Sequence, residues 1–133
     1  MNYEVSQAII YWPTIAKYNI IKEKSFQFAV RIFNLVKVLR VERCEFDVSR
    51  QLVRSGTSIG ANVREAINAE SKADFIHKLA VAQKEAGETI YWLELLFFTK
   101  VLTEAEFNSI NADAVELLKI IRTIIINTKG KKS

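Results

Sequence analysis

Apolar residues recur at helical spacing in four stretches of the chain, and short polar segments separate these stretches. Residues at i, i+3, i+4 and i+7 share one helix face, so each stretch predicts an amphipathic helix. The predicted helices span about residues 22–40 (beginning at Lys22 or Ser25), 47–69, 72–100 and 103–127. Because short connections force successive helices to run antiparallel, the pattern predicts an all-α, antiparallel up-down-up-down four-helix bundle over residues 21–128.

The first predicted helix carries two apolar stripes on different faces. One stripe contains Phe26, Val30 and Phe33, and the other contains Phe28, Ile32, Leu35 and Leu39. A helix at the edge of an isolated bundle needs only one apolar face, which packs on the core. The extra stripe therefore predicts contact with another subunit, so we expect the protein to self-associate.

The second predicted helix contains a segment with poor intrinsic helix propensity. Residues 55–62 read SGTSIGAN, and glycine, serine, threonine and asparagine all disfavour a helix interior. The apolar period nevertheless continues through this segment without a change of phase, at Val48, Leu52, Ile59, Val63 and Ala66. We therefore predict a helix whose small side chains, Ser55 and Gly56 among them, admit a closely packed neighbour.

The last two predicted helices carry clear start signals. Ser71, with Asp74 three residues later, predicts an N-cap, and Thr103 with Glu106 predicts a capping box. The expected inward face of the third helix consists of Phe75, Leu79, Ala82, Ala86, Ile90, Leu93 and Phe97. That of the fourth consists of Phe107, Ile110, Ala114, Leu117, Ile121 and Ile124.

The two ends of the chain differ from the bundle. Val5, Ala8, Ile9 and Trp12 follow a helical pattern that Pro13 is expected to stop, which predicts an appendage over residues 1–20. This appendage could pack on the bundle, cover a neighbouring subunit or form a loosely held terminus. Residues 129–133 predict a basic tail.

Composition supports one helical domain. A chain of 133 residues with 50% hydrophobic content suits a single core, and four glycines with one proline supply too few turns for an all-β fold. The single cysteine, Cys44, cannot form an intramolecular disulfide, and no signal-peptide or membrane-spanning run stands out. We therefore expect a cytoplasmic protein.

Candidate catalytic chemistry is sparse. A di-iron bundle needs two Glu-x-x-His pairs, whereas this chain has one histidine, His77, and Cys44 has no sequence signature that would pair it with His77. Glycine-rich phosphate loops are also absent from the sequence. We expect no enzymatic activity, no metal and no cofactor.

Three acidic residues of the third helix form a candidate carboxylate cluster. Glu85 and Glu88 share a helix face near the small polar residues of the second helix, and Glu94 lies further along. Carboxylates that accept hydrogen bonds from serine, threonine and asparagine side chains would lock the register of the two helices. That structural role is favoured over catalysis.

Three arginines of the second helix form a candidate nucleic-acid-binding stripe. Arg50, Arg54 and Arg64 fall on one side of the helix, with Thr57 and Ala61 between them. Such a stripe could contact phosphates, although arginines paired with nearby carboxylates would give the same spacing. The net charge of +4 is compatible with an anionic partner without requiring one. In a ring of subunits the stripe would repeat and its field would add.

Three separated motifs and a shorter match resemble a known family. They are RSGTSIGANVREA at residues 54–66, ADFIHKL at 73–79, EAGETIYWLELL at 85–96, and KSF at 24–26. In this order, over about residues 20–127, they resemble the small bacterial four-helix-bundle proteins encoded in intervening sequences of 23S ribosomal RNA genes.

The resemblance implies an antiparallel bundle that assembles into a homopentameric ring with no known enzymatic activity. The chain is also similar to the accessory variability determinant of diversity-generating retroelements, which binds nucleic acid and a reverse transcriptase through a basic ring surface. By analogy, we expect binding to structured RNA or DNA. The alternative is a protein-interaction scaffold that recruits a partner enzyme.

Overall fold

Four helices make up the part of the chain that the structure describes. The computed structural model describes residues 12–130, with side chains from Tyr18 onward. The helices are α1 (Trp12–Val41), α2 (Asp47–Ile67), α3 (Lys72–Phe98) and α4 (Glu104–Lys129). Each helix packs on the next and α4 returns to α1, whereas the diagonal pairs do not approach each other. With short connections between them, successive helices run antiparallel, so the predicted four-helix bundle is confirmed.

The start of α1 differs from the prediction. The helix begins at Trp12 and not at Lys22 or Ser25. Pro13 therefore stands in the first turn, where its missing N–H group costs no intrahelical hydrogen bond, and does not stop a helix there. Residues 12–20 of the expected appendage are the first turns of α1. Residues 1–11 and, in the basic tail, residues 131–133 lie outside the described residues.

The starts of α3 and α4 agree with their predicted caps. The hydroxyl of Ser71 accepts a hydrogen bond from the backbone N–H of Asp74 at 3.0 Å. The hydroxyl of Thr103 accepts from the backbone N–H of Glu106 at 3.1 Å, and the Glu106 carboxylate accepts from the backbone N–H of Thr103 at 2.8 Å. These bonds satisfy N–H groups that the first turn of a helix leaves without partners.

The core is built largely from the predicted apolar positions. Of the two stripes on α1, the one with Phe28, Ile32 and Leu39 is buried, whereas Phe26 and Phe33 of the other stripe remain 53% and 52% exposed. The inward residues that are buried on the other helices include Leu52, Ile59, Val63, Leu79, Ala82, Ala86, Leu93, Ile110, Ala114, Leu117 and Ile121. One apolar stripe of α1 is thus left outside the core of the described residues.

The segment of small residues in α2 is helical and closely packed on both flanks. A Cβ atom at Gly56 would lie 2.9 Å from side-chain atoms of Ile32, and one at Gly60 would lie 3.3 Å from the backbone oxygen of Ser25. On the side toward α3, the hydroxyls of Thr89 and Ser55 are buried and hydrogen-bonded at 2.9 Å. Tertiary contact therefore overrides the poor intrinsic propensity of this segment.

Polar contacts join α1 to α4. Lys24 pairs with Glu116 at 3.1 Å, and Arg31 pairs with Asp113 and donates to the Ser109 hydroxyl at 2.9 Å. These side chains are partly exposed, so each pair contributes roughly 0–1 kcal/mol to stability.

None of the four described helices combines the length and the apolar composition that are needed to cross a bilayer.

Candidate nucleic-acid interface

The outer face of α2 carries the three arginines that the sequence singled out. Positions 50, 54 and 64 of a helix with 3.6 residues per turn fall within one sector of its circumference. The structure leaves Arg50, Arg54 and Arg64 exposed on this face. Their surroundings nevertheless differ, because α2 has a different neighbour on each flank.

Arg54 is held by two carboxylates of α3. Its guanidinium lies 3.4 Å from a carboxylate oxygen of Glu85 and hydrogen-bonds to Glu88. Glu88 also accepts a hydrogen bond from the indole N–H of Trp92 at 3.2 Å. The hydrogen bond from Arg54 lowers the pKa of Glu88, and the same bond raises the pKa of Arg54. The charge of Arg54 is therefore balanced locally.

The carboxylates of Glu85 and Glu88 on α3 pair with an arginine and not with the small polar side chains that were predicted as their partners. Glu85 and Glu88 face Arg54, and the structure shows no hydrogen bond to them from the serine, threonine or asparagine side chains of α2 within residues 18–130. Those small polar side chains bond instead to backbone carbonyls of α2 itself, as Thr57 and Ser58 do, or to Thr89. Glu94 is exposed. The cluster therefore fixes α2 to α3 through an arginine.

Arg50 and Arg64 have no carboxylate partner among the described side chains. Arg50 is exposed near the start of α2, where its backbone N–H donates to the Phe46 carbonyl at 3.3 Å, and its guanidinium makes no ion pair with the described side chains. The guanidinium of Arg64 lies over the ring of Phe26, 5.1 Å from the ring centroid. Such a cation–π contact positions the guanidinium without an ion pair, although Glu65, Glu70 and Asp74 line a shallow pocket beside Arg64. Both arginines can therefore receive an anion.

Two cations of α1 extend this surface and were missed in the sequence. The ammonium group of Lys37 lies 5.2 Å from the centroid of the Phe33 ring, and the guanidinium of Arg40 lies 5.1 Å from that of Phe46. The i, i+4 spacing of Phe33 and Lys37 is a local signal that could have identified the first pair. The second pair forms across the α1–α2 connection. We call Lys37, Arg40, Arg50 and Arg64 the cationic face.

An open groove of about 440 Å³ lies between α1 and α2 beside these cations. Its walls are mostly apolar, and no carboxylate is among the residues that line it. The lining residues are Phe26, Ala29, Val30, Phe33, Asn34, Thr57, Gly60, Ala61 and Arg64. The exposed stripe of α1 thus forms one wall of the groove, and the outer face of α2 forms the other.

The described residues form neither a metal-binding cluster nor a Cys–His pair. No group of three or more histidine, cysteine or acidic side chains within residues 18–130 is arranged to hold a metal ion. Cys44 lies just before α2, and His77 lies on α3 beside the far end of α2. A helix of 21 residues is about 30 Å long, so these two side chains stand at opposite ends of the bundle. Both are exposed.

Comparisons with known proteins support the fold and identify the family. A solved structure from Bacteroides thetaiotaomicron, a protein of the S23 ribosomal protein family with unknown function, is 55% identical to this chain. The match covers 83% of this chain and 98% of the other, with a TM-score of 0.82. No curated protein matches the sequence. The family model of the 23S rRNA-intervening sequence proteins matches residues 17–123, and the chain belongs to this family.

Proposed function

We propose that this protein is a non-enzymatic, self-assembling helical bundle that binds structured RNA or DNA through the cationic face. The observation that carries the proposal is the placement of Lys37, Arg40, Arg50 and Arg64. None of these four has a carboxylate partner among the described side chains, and two of them come from each of two adjacent helices. Arg54, whose charge Glu85 and Glu88 balance, contributes less.

Phosphate binding is the chemistry that suits such a surface. Lysine and arginine neutralise phosphates and release condensed counterions, which gives an affinity that falls steeply with salt. A bidentate guanidinium matches the geometry of two phosphate oxygens. Catalysis has no comparable support, because Cys44 and His77 stand at opposite ends of the bundle and the described residues hold no group of side chains arranged to bind a metal ion. We therefore place the protein among binding proteins.

Assembly from identical copies would multiply this surface. In a homopentamer the four cations repeat five times, and several modest contacts with one polyanion add to a strong one. Apolar side chains outside the cationic face are available for contacts between copies. Tyr91 and Phe98 on α3 and Ile126 on α4 are all more than half exposed. With a free cysteine and an intracellular polyanion as ligand, the protein would act in the cytoplasm.

The test replaces two cations of the proposed surface by neutral side chains. Arg50→Gln with Arg64→Gln removes two phosphate contacts, and Arg122→Gln serves as the control for loss of a positive charge elsewhere on the surface. Arg122 is exposed on α4, which lies diagonally across the bundle from α2. Affinity for a labelled RNA hairpin is measured over a range of salt concentrations.

The double variant should bind more weakly, and its slope of log affinity against log salt should be smaller in magnitude by about 1.5, since each contact contributes about 0.7–0.9. Arg122→Gln should retain the slope of the unmodified protein. If the double variant and the control lose affinity equally, the cationic face is not the binding surface.

A second candidate function is a protein-interaction scaffold. The exposed stripe of Phe26, Val30 and Phe33 favours it, because a contiguous apolar surface beside a groove is typical of sites that recruit another protein. A tagged protein that retains one stoichiometric protein partner after nuclease treatment, and loses it when Val30 is replaced by Glu, would support this function. Loss of all partners on nuclease treatment would exclude it.

A further inference from the structure

Each of three exposed phenylalanine rings on the α1–α2 side of the bundle is covered by a cation. Arg64 lies over Phe26, Lys37 over Phe33 and Arg40 over Phe46, at ring-centroid distances of 5.1, 5.2 and 5.1 Å. All three rings remain between 46% and 53% exposed. We call Phe26, Phe33 and Phe46 the aromatic strip.

We propose that the aromatic strip stacks unpaired bases, so that the ligand of the cationic face is a single strand or the unpaired loop of a folded RNA. This inference rests on the proposed nucleic-acid function and adds the class of ligand. Flat rings paired with cations provide both parts of such a site, since bases stack on aromatic faces while phosphates contact lysine and arginine.

The groove supplies further groups that suit nucleotides. Asn34 is exposed and has no hydrogen-bond partner in the part of the chain that the structure describes, so its amide can both donate to and accept from the edge of a base. Phe26 and Phe33 are seven residues apart, which places them about 10 Å from each other along α1. A strand lying along α1 could therefore contact both rings.

The charge of this surface favours a polyanion over a second protein. Protein–protein interfaces are depleted of charged residues, above all lysine, at their buried centre. Here Lys37 and two arginines lie on the rings themselves, and no acidic residue lines the groove. Burying these cations under an apolar partner would remove them from water without a compensating charge. A nucleic acid brings that charge with its phosphates.

The experiment distinguishes the contribution of the bases to binding from that of the phosphates. The probes are an oligoadenylate and an abasic strand of the same length, which carries the same phosphates without bases. The variant Phe26→Leu with Phe33→Leu keeps two apolar side chains and removes two π faces. Because both phenylalanines are about half exposed, the buried core is left unchanged. Leu118→Met, on α4, serves as a matched apolar control.

Binding of the unmodified protein to oligoadenylate should exceed binding to the abasic strand by about 5- to 150-fold for each stacked base. The double leucine variant should lose most of this preference and keep both its affinity for the abasic strand and its salt slope. Arg50→Gln with Arg64→Gln should weaken binding of both strands, because it removes phosphate contacts.

Three results would overturn the inference. Equal affinity of the unmodified protein for the two strands would show that bases are not stacked, although the proposed function would stand. If the leucine variant loses affinity for both strands equally, the rings position the cations and do not stack bases. A change in the oligomer mass of that variant, measured by light scattering without nucleic acid, would show that the strip contacts a second copy. If neither strand nor the hairpin binds, the proposed function itself fails.

Discussion

The close approach of α1 and α2 at Gly56 can be tested by adding a single methyl group. Gly56→Ala places a Cβ atom 2.9 Å from both Cγ1 and Cγ2 of Ile32, a fully buried and β-branched side chain that has little freedom to move. Overpacking of this kind costs about 1–3 kcal/mol. Replacing a helical glycine by alanine gains about 1 kcal/mol. We expect a free energy of unfolding that is unchanged or lower by up to about 2 kcal/mol.

The matched control is Gly87→Ala on α3. Gly87 is also in the interior of a helix, but it is exposed and a Cβ atom there would have no neighbour within 4 Å. This variant should gain the full propensity difference, about 1 kcal/mol. Urea denaturation followed by far-ultraviolet circular dichroism measures both variants, at one protein concentration because association changes apparent stability. The two variants should differ by about 1–3 kcal/mol.

A double-mutant cycle tests whether the loss of stability comes from contact between the new methyl group and Ile32. Ile32→Ala removes the two atoms that the new methyl group would meet, so the double variant Ile32→Ala with Gly56→Ala should be less destabilised than the sum of the two single variants. If Gly56→Ala instead stabilises the protein as much as Gly87→Ala does, α1 and α2 do not approach each other as described, and the account of the small residues in α2 is wrong.

Two further predictions concern buried hydroxyls and a paired carboxylate. Thr89→Val removes the hydroxyl that donates to the buried Ser55 hydroxyl and leaves Ser55 its long 3.4 Å bond to the Leu52 carbonyl. This change should cost about 1–2 kcal/mol in urea denaturation, most of which Ser55→Ala in the same chain should restore. The hydrogen bond from the Arg43 guanidinium, together with that from the Thr103 backbone N–H, lowers the pKa of Glu106 from 4.5 to about 2. The stability that this carboxylate adds is therefore complete above pH 4.5 and is lost as the pH falls toward 2. Glu106→Gln, which can keep the capping box, should show a smaller fall in melting temperature over that range; an equal fall would contradict the pairing.

The sequence was sufficient for the helices whose signals are local. Ser71 and Thr103 were identified as caps because a cap depends on residues only three positions apart. The helical state of residues 55–62 was predicted from the apolar period on either side, although its energetic cause, the contact of Gly56 with Ile32, is tertiary. The predicted start of α1 lies too far along the chain. Proline occurs both in the first turn of a helix and just after a helix ends, so Pro13 alone does not show which of the two applies.

The candidate site was predicted less well, for a physical reason. Spacing along α2 showed that three arginines share a face, but the availability of each charge depends on the helices beside it. Arg54 lies on the α3 side, where the register of the two helices places Glu85 and Glu88 within reach. Arg64 lies on the α1 side, where its guanidinium is over the ring of Phe26 and forms no ion pair with the described side chains.

The carboxylates that would have decided between these outcomes are 31 and 34 residues from Arg54 in the chain. No local pattern can connect them, because a rotation of α3 by one residue would move both carboxylates by about 100° around its axis. The position of Arg40 over the Phe46 ring depends in the same way on how α1 meets α2, whereas the Phe33–Lys37 pair is local to α1. Helical spacing therefore shows which arginines share a surface. Whether that surface can bind an anion is decided by the side chains that the neighbouring helices bring to it.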